Sequence, residues 1–162
     1  MKNCLLLALL ALLFTTSLLA ESASQIQGAK GASQEKMVIY QVFTRVFGNR
    51  NTTNQPWGTL EQNGVGKFSD FTDDCLEGIA EFGTSHIWYT GVLHHALIRD
   101  YSKHGISDDD PDVVKGRAGS PYAVKDYYNV NPDLADNVEK RLEEFEALIE
   151  RTHKHGMKVM ID

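Results

Sequence analysis

The chain has 162 residues, enough for one ordinary domain, and its 42% hydrophobic and 23% charged residues exclude a largely disordered protein. Its formal net charge of −6 excludes the basic character that a nucleic-acid binder needs to meet phosphates. We therefore expect a globular domain with no nucleic-acid partner.

The first twenty residues have the pattern of a secretory signal peptide. Lys2 precedes an apolar run from Leu5 to Phe14, and small or weakly polar residues lead on to Ala20. A transmembrane anchor is the alternative, but the uninterrupted apolar run is short for crossing a bilayer. The pattern predicts that residues 1–20 are a signal peptide, that the protein is exported to the periplasm or secreted, and that no membrane association follows cleavage.

Two features bound the domain that remains after cleavage. Cys4 lies within the predicted signal peptide, so Cys75 would be left alone and could form no internal disulfide. Residues 21–36 are small and polar without a hydrophobic period, which is typical of a flexible N-terminal linker. The folded domain is expected to span residues 37–162.

Within this domain, hydrophobic periodicity predicts strands and helices in alternation. The predicted elements, in chain order, are a strand at Met37–Phe47, a helix at Ser69–Phe82, a strand at Thr84–Leu93, a helix at Asp136–His155 and a strand at Met157–Asp162. Residues 48–68 and 94–135 are predicted to be loops. Asp136 and Glu139 fit a capping box at the start of the second helix.

The apolar face of each helix is predicted from helical spacing. The expected faces are Phe71, Cys75, Ile79 and Phe82 in the first helix, and Val138, Leu142, Phe145, Ile149 and Thr152 in the second. The order β-α-β-α-β favours a parallel sheet with right-handed crossovers.

Two architectures fit a parallel sheet of this kind: a (β/α)8 barrel and an open doubly wound sheet. A nucleotide-binding doubly wound domain should carry a glycine-rich fingerprint after its first strand. The loop after the first strand contains instead Asn63–Phe68, "NGVGKF", which is neither that fingerprint nor a Walker loop. The barrel is therefore the preferred architecture.

In a barrel, functional residues lie at the carboxyl ends of the strands and on the loops that follow. Aromatic and acidic residues are concentrated there: Tyr122, Asp126, Tyr127 and Tyr128 on the second loop, and Asp162 at the tip of the third strand. Aromatic faces pack against the C–H faces of sugars, and carboxylates accept hydrogen bonds from sugar hydroxyls. This composition favours a carbohydrate site.

Four segments carry a resemblance to a known family. They read "MVIYQVFTRVFG", "FTDDCLEGIAEFGTSHIWYTGV", "SPYAVKDYYNVNPDLA" and "FEALIERTHKHGMKVMID". In this order they resemble the opening strand, the first helix with the second strand, the segment after it, and the third strand of the α-amylase family, glycoside hydrolase family 13. The resemblance covers about residues 37–162.

The resemblance implies the N-terminal part, about three β/α units, of a TIM (β/α)8 barrel. It implies an exported α-amylase-type glycoside hydrolase with a retaining mechanism, acting in carbohydrate metabolism on α-glucans such as starch and malto-oligosaccharides. An α-glucan transglycosylase or isomerase of the same family is one alternative, and a non-catalytic carbohydrate-binding protein is another. The family's catalytic carboxylates would follow Asp162, so we expect no catalytic residue in this chain and no hydrolysis by these 162 residues alone.

The same resemblance assigns roles to particular residues. Tyr122 matches the family tyrosine that stacks on the sugar at the cleavage subsite. Asp126 and Tyr127 match the pair that follows it and are expected to support the site, as is Asp162, which matches the first residue of a family signature. His94 is a further candidate for contacting substrate, because it follows the second strand at its active end.

Members of the resembled family often use calcium, so calcium is a candidate cofactor, but no cofactor is assigned with certainty. The acidic stretch Ser107–Asp112, "SDDDPD", lacks the ligand spacing of an EF-hand loop, and a solvated acidic loop is the preferred interpretation. His94 and His95 would need a third ligand to hold a metal ion. No metal ligand is therefore assigned.

Overall fold

A computed structural model gives the structure of the protein and describes residues 36–162. The predicted signal peptide and the predicted linker up to residue 35 lie outside the described residues. Both assignments, and the export that depends on them, stay predictions.

The described residues form five strands and three α-helices. The strands are β1 (Ile39–Phe43), β2 (His86–Thr90), β3 (Leu93–His95), β4 (Val124–Val130) and β5 (Lys158–Ile161). The α-helices are α1 (Leu60–Asn63), α2 (Asp73–Glu81) and α3 (Arg141–Lys154). Short 3-10 turns occupy Phe68–Asp70, Ser102–His104, Pro132–Leu134 and Val138–Lys140.

A parallel sheet of three strands, in the order β1-β2-β5, organises the domain. Val42 pairs with Tyr89, and Tyr89 pairs with Ile161, so β2 is the central strand. The predicted β-α-β-α-β order and the parallel pairing are confirmed. Closure of such a sheet into a barrel stays a prediction.

One face of the sheet is covered by α2 and α3. Ile87 and Tyr89 of β2 are fully buried, whereas His86 and Trp88, whose side chains point to the other face, are half-buried. Ile87 and Tyr89 pack in one apolar cluster with Leu76 of α2 and with Phe145 and Leu148 of α3. We call this group of residues the helix-side core.

The first strand and the first long helix are shorter than predicted. β1 stops at Phe43, because the backbone N–H groups of Val46 and Phe47 turn back and donate to the carbonyl of Phe43 at 3.0 and 3.2 Å. The helix begins after Thr72, whose hydroxyl accepts a hydrogen bond from the N–H of Cys75 at 3.3 Å. The residues that precede Thr72 form a 3-10 turn instead.

The predicted helical faces were partly wrong. Phe82 is 79% exposed because α2 ends before it, and Cys75 is half-buried, while Leu76 fills the centre of the contact. In α3, Leu142 is 44% exposed, and Leu148 takes the fully buried position. The predicted burial of Phe71, Ile79, Phe145 and Thr152 is confirmed, and the prediction missed Leu76 and Leu148.

The predicted capping box at Asp136 and Glu139 is also wrong. The Asn137 side chain accepts the hydrogen bond from the N–H of Glu139 at 3.0 Å. The Glu144 carboxylate accepts from the N–H groups of Asp136 and Asn137 at 2.7 and 2.8 Å. A glutamate inside α3 thus ties down the chain that enters the helix.

The loop predicted at 94–135 contains an antiparallel strand pair, β3 with β4. Leu93 lies opposite Val130, and His94 lies opposite Asp126, with register shifts between these pairs. β4 mixes charged, aromatic and β-branched residues, and most of them are exposed or half-buried. The segment therefore lacks the apolar run that marked the other strands.

Within residues 36–162, no helix has the length and apolar character needed to cross a membrane.

Candidate functional site

Tyr122 lines a pocket at the carboxyl ends of β1 and β2. The pocket has a volume of about 430 Å³, and the other lining residues are Gln41, Phe43, Thr90 and Pro121. The Tyr122 side chain is 73% exposed, so its ring is open to a ligand from solvent. This is the position at which parallel β/α folds place their functional residues.

Gly91 makes the close packing of this pocket possible. Its φ is +80°, and a Cβ at this position would come within 3.0 Å of the Phe43 ring and 3.4 Å of Pro121. The absence of a side chain lets the segment that carries Tyr122 pack on the end of β1.

Polar groups accompany the two aromatic rings. The Gln41 amide donates to the Thr90 hydroxyl at 3.0 Å, which fixes both side chains across neighbouring strands. Gln41 and Thr90 line the same pocket as Phe43 and Tyr122. Rings with adjacent amide and hydroxyl groups suit a ligand that has both apolar and hydroxyl-bearing faces.

Asp162 follows β5 on the same edge of the sheet. Its side chain is half-buried, and Oδ1 is enclosed without a hydrogen-bond partner among the described residues. An enclosed carboxylate oxygen needs a donor, because an unsatisfied buried acceptor is costly. This geometry is compatible with the supporting role predicted for Asp162, which stays a prediction.

His94 is enclosed by the β3–β4 pair and is only 3% exposed. Neither ring nitrogen has a hydrogen-bond partner among residues 36–162. Burial, with a smaller contribution from the charge of Lys125, lowers the pKa of His94 below its ordinary value. The substrate contact predicted for His94 stays a prediction, and in this structure the ring does not line the Tyr122 pocket.

Asp126 and Tyr127 lie on β4 rather than in the pocket. Asp126 is half-buried, and its Oδ1 accepts the N–H of Tyr128 at 2.9 Å, which shapes the strand locally. The Tyr127 ring is 73% exposed. The structure thus brings Tyr122 together with Gln41, Phe43 and Thr90. Asp126 and Tyr127 do not line this pocket, and the supporting role of these two residues stays a prediction.

The acidic stretch Ser107–Asp112 is attached to the same strand pair. Asp109 forms an ion pair with Lys125 at 2.7 Å and accepts the N–H of Leu97 at 3.1 Å, and Lys125 also donates to the carbonyl of Ser107 at 2.6 Å. The expectation of a wholly solvated loop was therefore wrong for Asp109. Within residues 36–162, no three acidic, histidine or cysteine side chains are grouped to hold a metal ion, and calcium stays a prediction without a site.

A second cleft, of about 320 Å³, lies among the loops and was not anticipated from the sequence. It is lined by polar and charged residues that include Arg45, Arg99, Arg117, Glu61, Asp100 and Asp133. Arg45 and Asp133 both lie inside the segments that carried the family resemblance, but no local motif marked them as partners. Arg99 forms an ion pair with Glu61 at 2.5 Å.

Asp133 is the buried centre of this cleft. It is 4% exposed, its Oδ1 accepts the hydroxyl of Tyr101 at 2.6 Å, and its Oδ2 lies 3.5 Å from Nη1 of Arg45. Lys67 donates to the carbonyls of Asp133 and Ala135 at 2.7 and 2.9 Å. Burial and the adjacent Asp133 raise the pKa of Tyr101 above its ordinary range, so its hydroxyl stays a donor.

Comparison with known proteins finds two curated relatives with similar sequence identity to this chain. A cyclomaltodextrinase of Bacillus sp. is 26% identical over 126 residues, which cover 77% of this chain and 19% of that protein. A maltogenic α-amylase of Bacillus acidopullulyticus is 29% identical over 126 residues, which cover 77% of this chain and 18% of that protein. The chain thus spans about a fifth of the length of these relatives. No protein-family model matches the chain.

Solved structures show the same fold. The catalytic module of a multi-modular, glycogen-degrading pneumococcal virulence factor, SpuA, superposes with a TM-score of 0.54 at 23% identity. The match covers 79% of this chain and 18% of that one. The described residues form a mixed α/β arrangement with small sheets, and the match shows that this fold is shared. The two curated relatives confirm the resemblance to the α-amylase family, glycoside hydrolase family 13.

Proposed function

We propose that this chain, which resembles the α-amylase family, forms the first part of the catalytic barrel of an exported glycoside hydrolase that acts on α-glucans such as starch and malto-oligosaccharides. The observation that carries the proposal is the placement of Tyr122. Its exposed ring lines a pocket with Phe43, Gln41 and Thr90 at the carboxyl ends of two parallel strands.

The names of the relatives support the same substrate class. One is a cyclomaltodextrinase and another is a maltogenic α-amylase, and the SpuA module belongs to a protein described as glycogen-degrading. Each name refers to an α-glucan or to its breakdown. The shared chemistry is the α-linked glucose chain, so an α-glucan is the substrate proposed here.

The residues of this chain would bind and orient the sugar. The Tyr122 ring offers a flat apolar face for one pyranose ring, and Gln41 and Thr90 offer hydrogen-bonding groups at its rim. Asp162 would support the site from the end of β5, as the family resemblance implies. A retaining reaction needs two carboxyl groups about 5–5.5 Å apart, and the resemblance assigns both of them to residues that would follow Asp162.

The alternatives predict different products. A transglycosylase or isomerase of the same family would use the same pocket and pass the glycosyl group to a sugar acceptor. A non-catalytic carbohydrate-binding protein would bind glucan without turnover.

The proposal is tested with the full-length protein in which these residues occur. Purified protein is incubated with starch and with defined malto-oligosaccharides, and the products are followed by chromatography. We expect shorter malto-oligosaccharides. Longer products would favour the transglycosylase, and binding without any product would favour the non-catalytic alternative. Absence of both binding and turnover would contradict the proposal.

Variants of Tyr122 test whether the glucan-degrading activity depends on the Tyr122 pocket. Tyr122→Ala is expected to lower kcat/KM by at least about tenfold, because the stacking face is lost. Tyr122→Phe keeps the ring and should retain most of the activity. The matched control is Tyr128→Ala, since Tyr128 is 93% exposed on β4 and does not line the pocket. Secretion is tested separately, by N-terminal sequencing of the mature protein.

A further inference from the structure

Trp57 is exposed to solvent in an uncommon backbone conformation. The side chain is 64% exposed, and the backbone φ is +56°. Positive φ is rare for a bulky side chain, because Cβ then crowds the backbone. Such a conformation persists only where the surrounding structure holds it, and it often coincides with function.

The loop around Trp57 is held by a set of side-chain hydrogen bonds. The Asn63 amide accepts the N–H of Gln55 at 2.7 Å and donates to the carbonyl of Gln55 at 2.9 Å. The N–H of Gly58 closes a turn on the same carbonyl at 2.9 Å. The turn that carries Trp57 is therefore fastened on both sides.

The next residues extend this support into α1. Thr59 and Gln62 form a reciprocal capping box, with distances of 2.8 and 3.3 Å. A Cβ on Gly58 would lie 2.5 Å from the Asn63 amide nitrogen and 2.8 Å from the Gln55 carbonyl, so the loop is packed without spare room. The backbone on either side of Trp57 is therefore held in place before any ligand binds, which lowers the entropic cost of ordering the loop.

Trp57 stands next to the wall of the polar cleft. Gly58, Thr59 and Glu61, which follow it in the chain, line the cleft of about 320 Å³ together with Arg99 and Asp133. The lining residues of this cleft and those of the Tyr122 pocket do not overlap. Trp57 itself is not a lining residue, but it directly precedes Gly58, the first residue of the segment that lines the cleft.

The charges in the cleft indicate the kind of ligand. Its arginines and its acidic residues are equal in number: Arg45, Arg99 and Arg117 against Glu61, Asp100 and Asp133. Arg99 with Glu61 and Arg45 with Asp133 are already paired. A cleft in which these charges balance gives an anion no net attraction, and it offers many donors and acceptors to a neutral, hydroxyl-rich molecule.

We propose that Trp57 and the adjoining cleft form a further α-glucan-binding subsite, in which the indole ring stacks on a glucose unit and the cleft binds hydroxyl groups of the same chain. The subsite deepens the proposed function and rests on it for the identity of the sugar. It would hold a polymeric substrate in addition to the contacts that Tyr122 makes.

The test compares glucan binding by the full-length protein and by Trp57→Gly. Glycine removes the ring and adopts the positive φ without strain, so the loop should keep its fold. The matched control is Phe82→Ala, since Phe82 is 79% exposed just after α2 and lines none of the clefts described here. Affinity electrophoresis in soluble starch measures binding, and circular dichroism checks folding.

We expect Trp57→Gly to bind starch about tenfold more weakly, as for the loss of an aromatic anchor, and Phe82→Ala to bind normally. Turnover of a short chromogenic maltoside should be unchanged in both variants. Unchanged starch binding by folded Trp57→Gly would overturn the subsite while leaving the proposed function standing. Failure of the unaltered protein to bind any α-glucan would overturn both proposals.

Discussion

We call residues 44–72 and 91–135, which follow β1 and β2, the loop region. The helix-side core and the loop region each contain a buried tyrosine, and the two tyrosines differ in their hydrogen-bond partners. Tyr89, in the helix-side core, lies 2.7 Å from the hydroxyl of Thr152, which itself donates to the carbonyl of Leu148 at 2.8 Å. Tyr89 is therefore the donor in a neutral pair. Tyr101, in the loop region, donates instead to the buried Asp133 carboxylate at 2.6 Å.

This difference shows how the two regions are stabilised. In the helix-side core, apolar packing dominates, and one neutral hydrogen-bonded pair satisfies the single phenol that the packing buries. In the loop region, charged and polar side chains fasten irregular backbone, which must find partners for its own polar groups. Stability is concentrated in the first region, and the groups that can bind a ligand are concentrated in the second.

The largest loss in the free energy of unfolding is expected from a cavity in the helix-side core. Leu148 is fully buried between the sheet and α3, so Leu148→Ala should lower the free energy of unfolding by about 3 kcal/mol. Denaturant unfolding measures the change. Leu142→Ala is the matched control on the same helix, because Leu142 is 44% exposed and should lose far less. Similar losses for the two variants would contradict the observed phase of the buried stripe.

Within the loop region, we expect substitution of Asp133 to lower the free energy of unfolding most. Asp133→Ala leaves the Tyr101 hydroxyl and the Arg45 guanidinium without their acceptor, and we expect a loss of about 2 kcal/mol in the free energy of unfolding. Asp112→Ala serves as the control, since Asp112 is exposed in the acidic stretch. If Asp133→Ala unfolds like the control, the hydrogen-bonded network does not stabilise the loops.

Much of the helix-side core could be predicted from the sequence, because its signals are local. The β-branched and aromatic run of β1 and the apolar period of α3 gave the element order and the parallel sheet. The burial of single side chains was harder to predict. Leu142 and Leu148 are both apolar, and the packing of α3 against the sheet decides that Leu148 is buried and Leu142 is 44% exposed.

The loop region was harder to predict, because its contacts join residues far apart in the chain. Arg45 and Asp133 are 88 positions apart, and no local pattern connects them. Tyr122 could be singled out through the family resemblance, since its neighbours matched a known segment. Trp57 could not, because its exposure and its backbone conformation follow from the hydrogen bonds that Asn63 makes with Gln55.

A smaller effect is expected in the pH dependence of the free energy of unfolding, to which Tyr89 contributes. Burial raises the pKa of Tyr89 from 10.0 to about 12. The unfolded chain therefore loses this proton first, and the stability that protonated Tyr89 contributes is present below pH 10 and is lost between pH 10 and about 12. Tyr89→Phe should cost about 1 kcal/mol at neutral pH and should show a shallower decline over that alkaline range.

The control is Tyr127→Phe, because Tyr127 is 73% exposed and loss of its hydroxyl should leave the free energy of unfolding at neutral pH nearly unchanged. Tyr101 also has a raised pKa and contributes to the alkaline decline of all three proteins. The difference between Tyr89→Phe and the unaltered protein isolates Tyr89. An unchanged slope in Tyr89→Phe would mean that Tyr89 is not the buried donor.

The smallest expected effect on the free energy of unfolding comes from His94, at acidic pH. Burial lowers the pKa of this ring, with Lys125 and His95 acting in the same direction and Asp109 and Asp126 opposing it. The unfolded chain therefore binds a proton that the folded chain excludes, so the stability due to neutral His94 is present above pH 6.5 and falls as the pH drops below that value. His94→Gln cannot be protonated and should give a flatter acid limb in denaturant unfolding. Acid limbs of equal slope would mean that His94 acquires a proton in the folded protein, and that the β3–β4 pair opens enough to let the ring reach solvent or substrate.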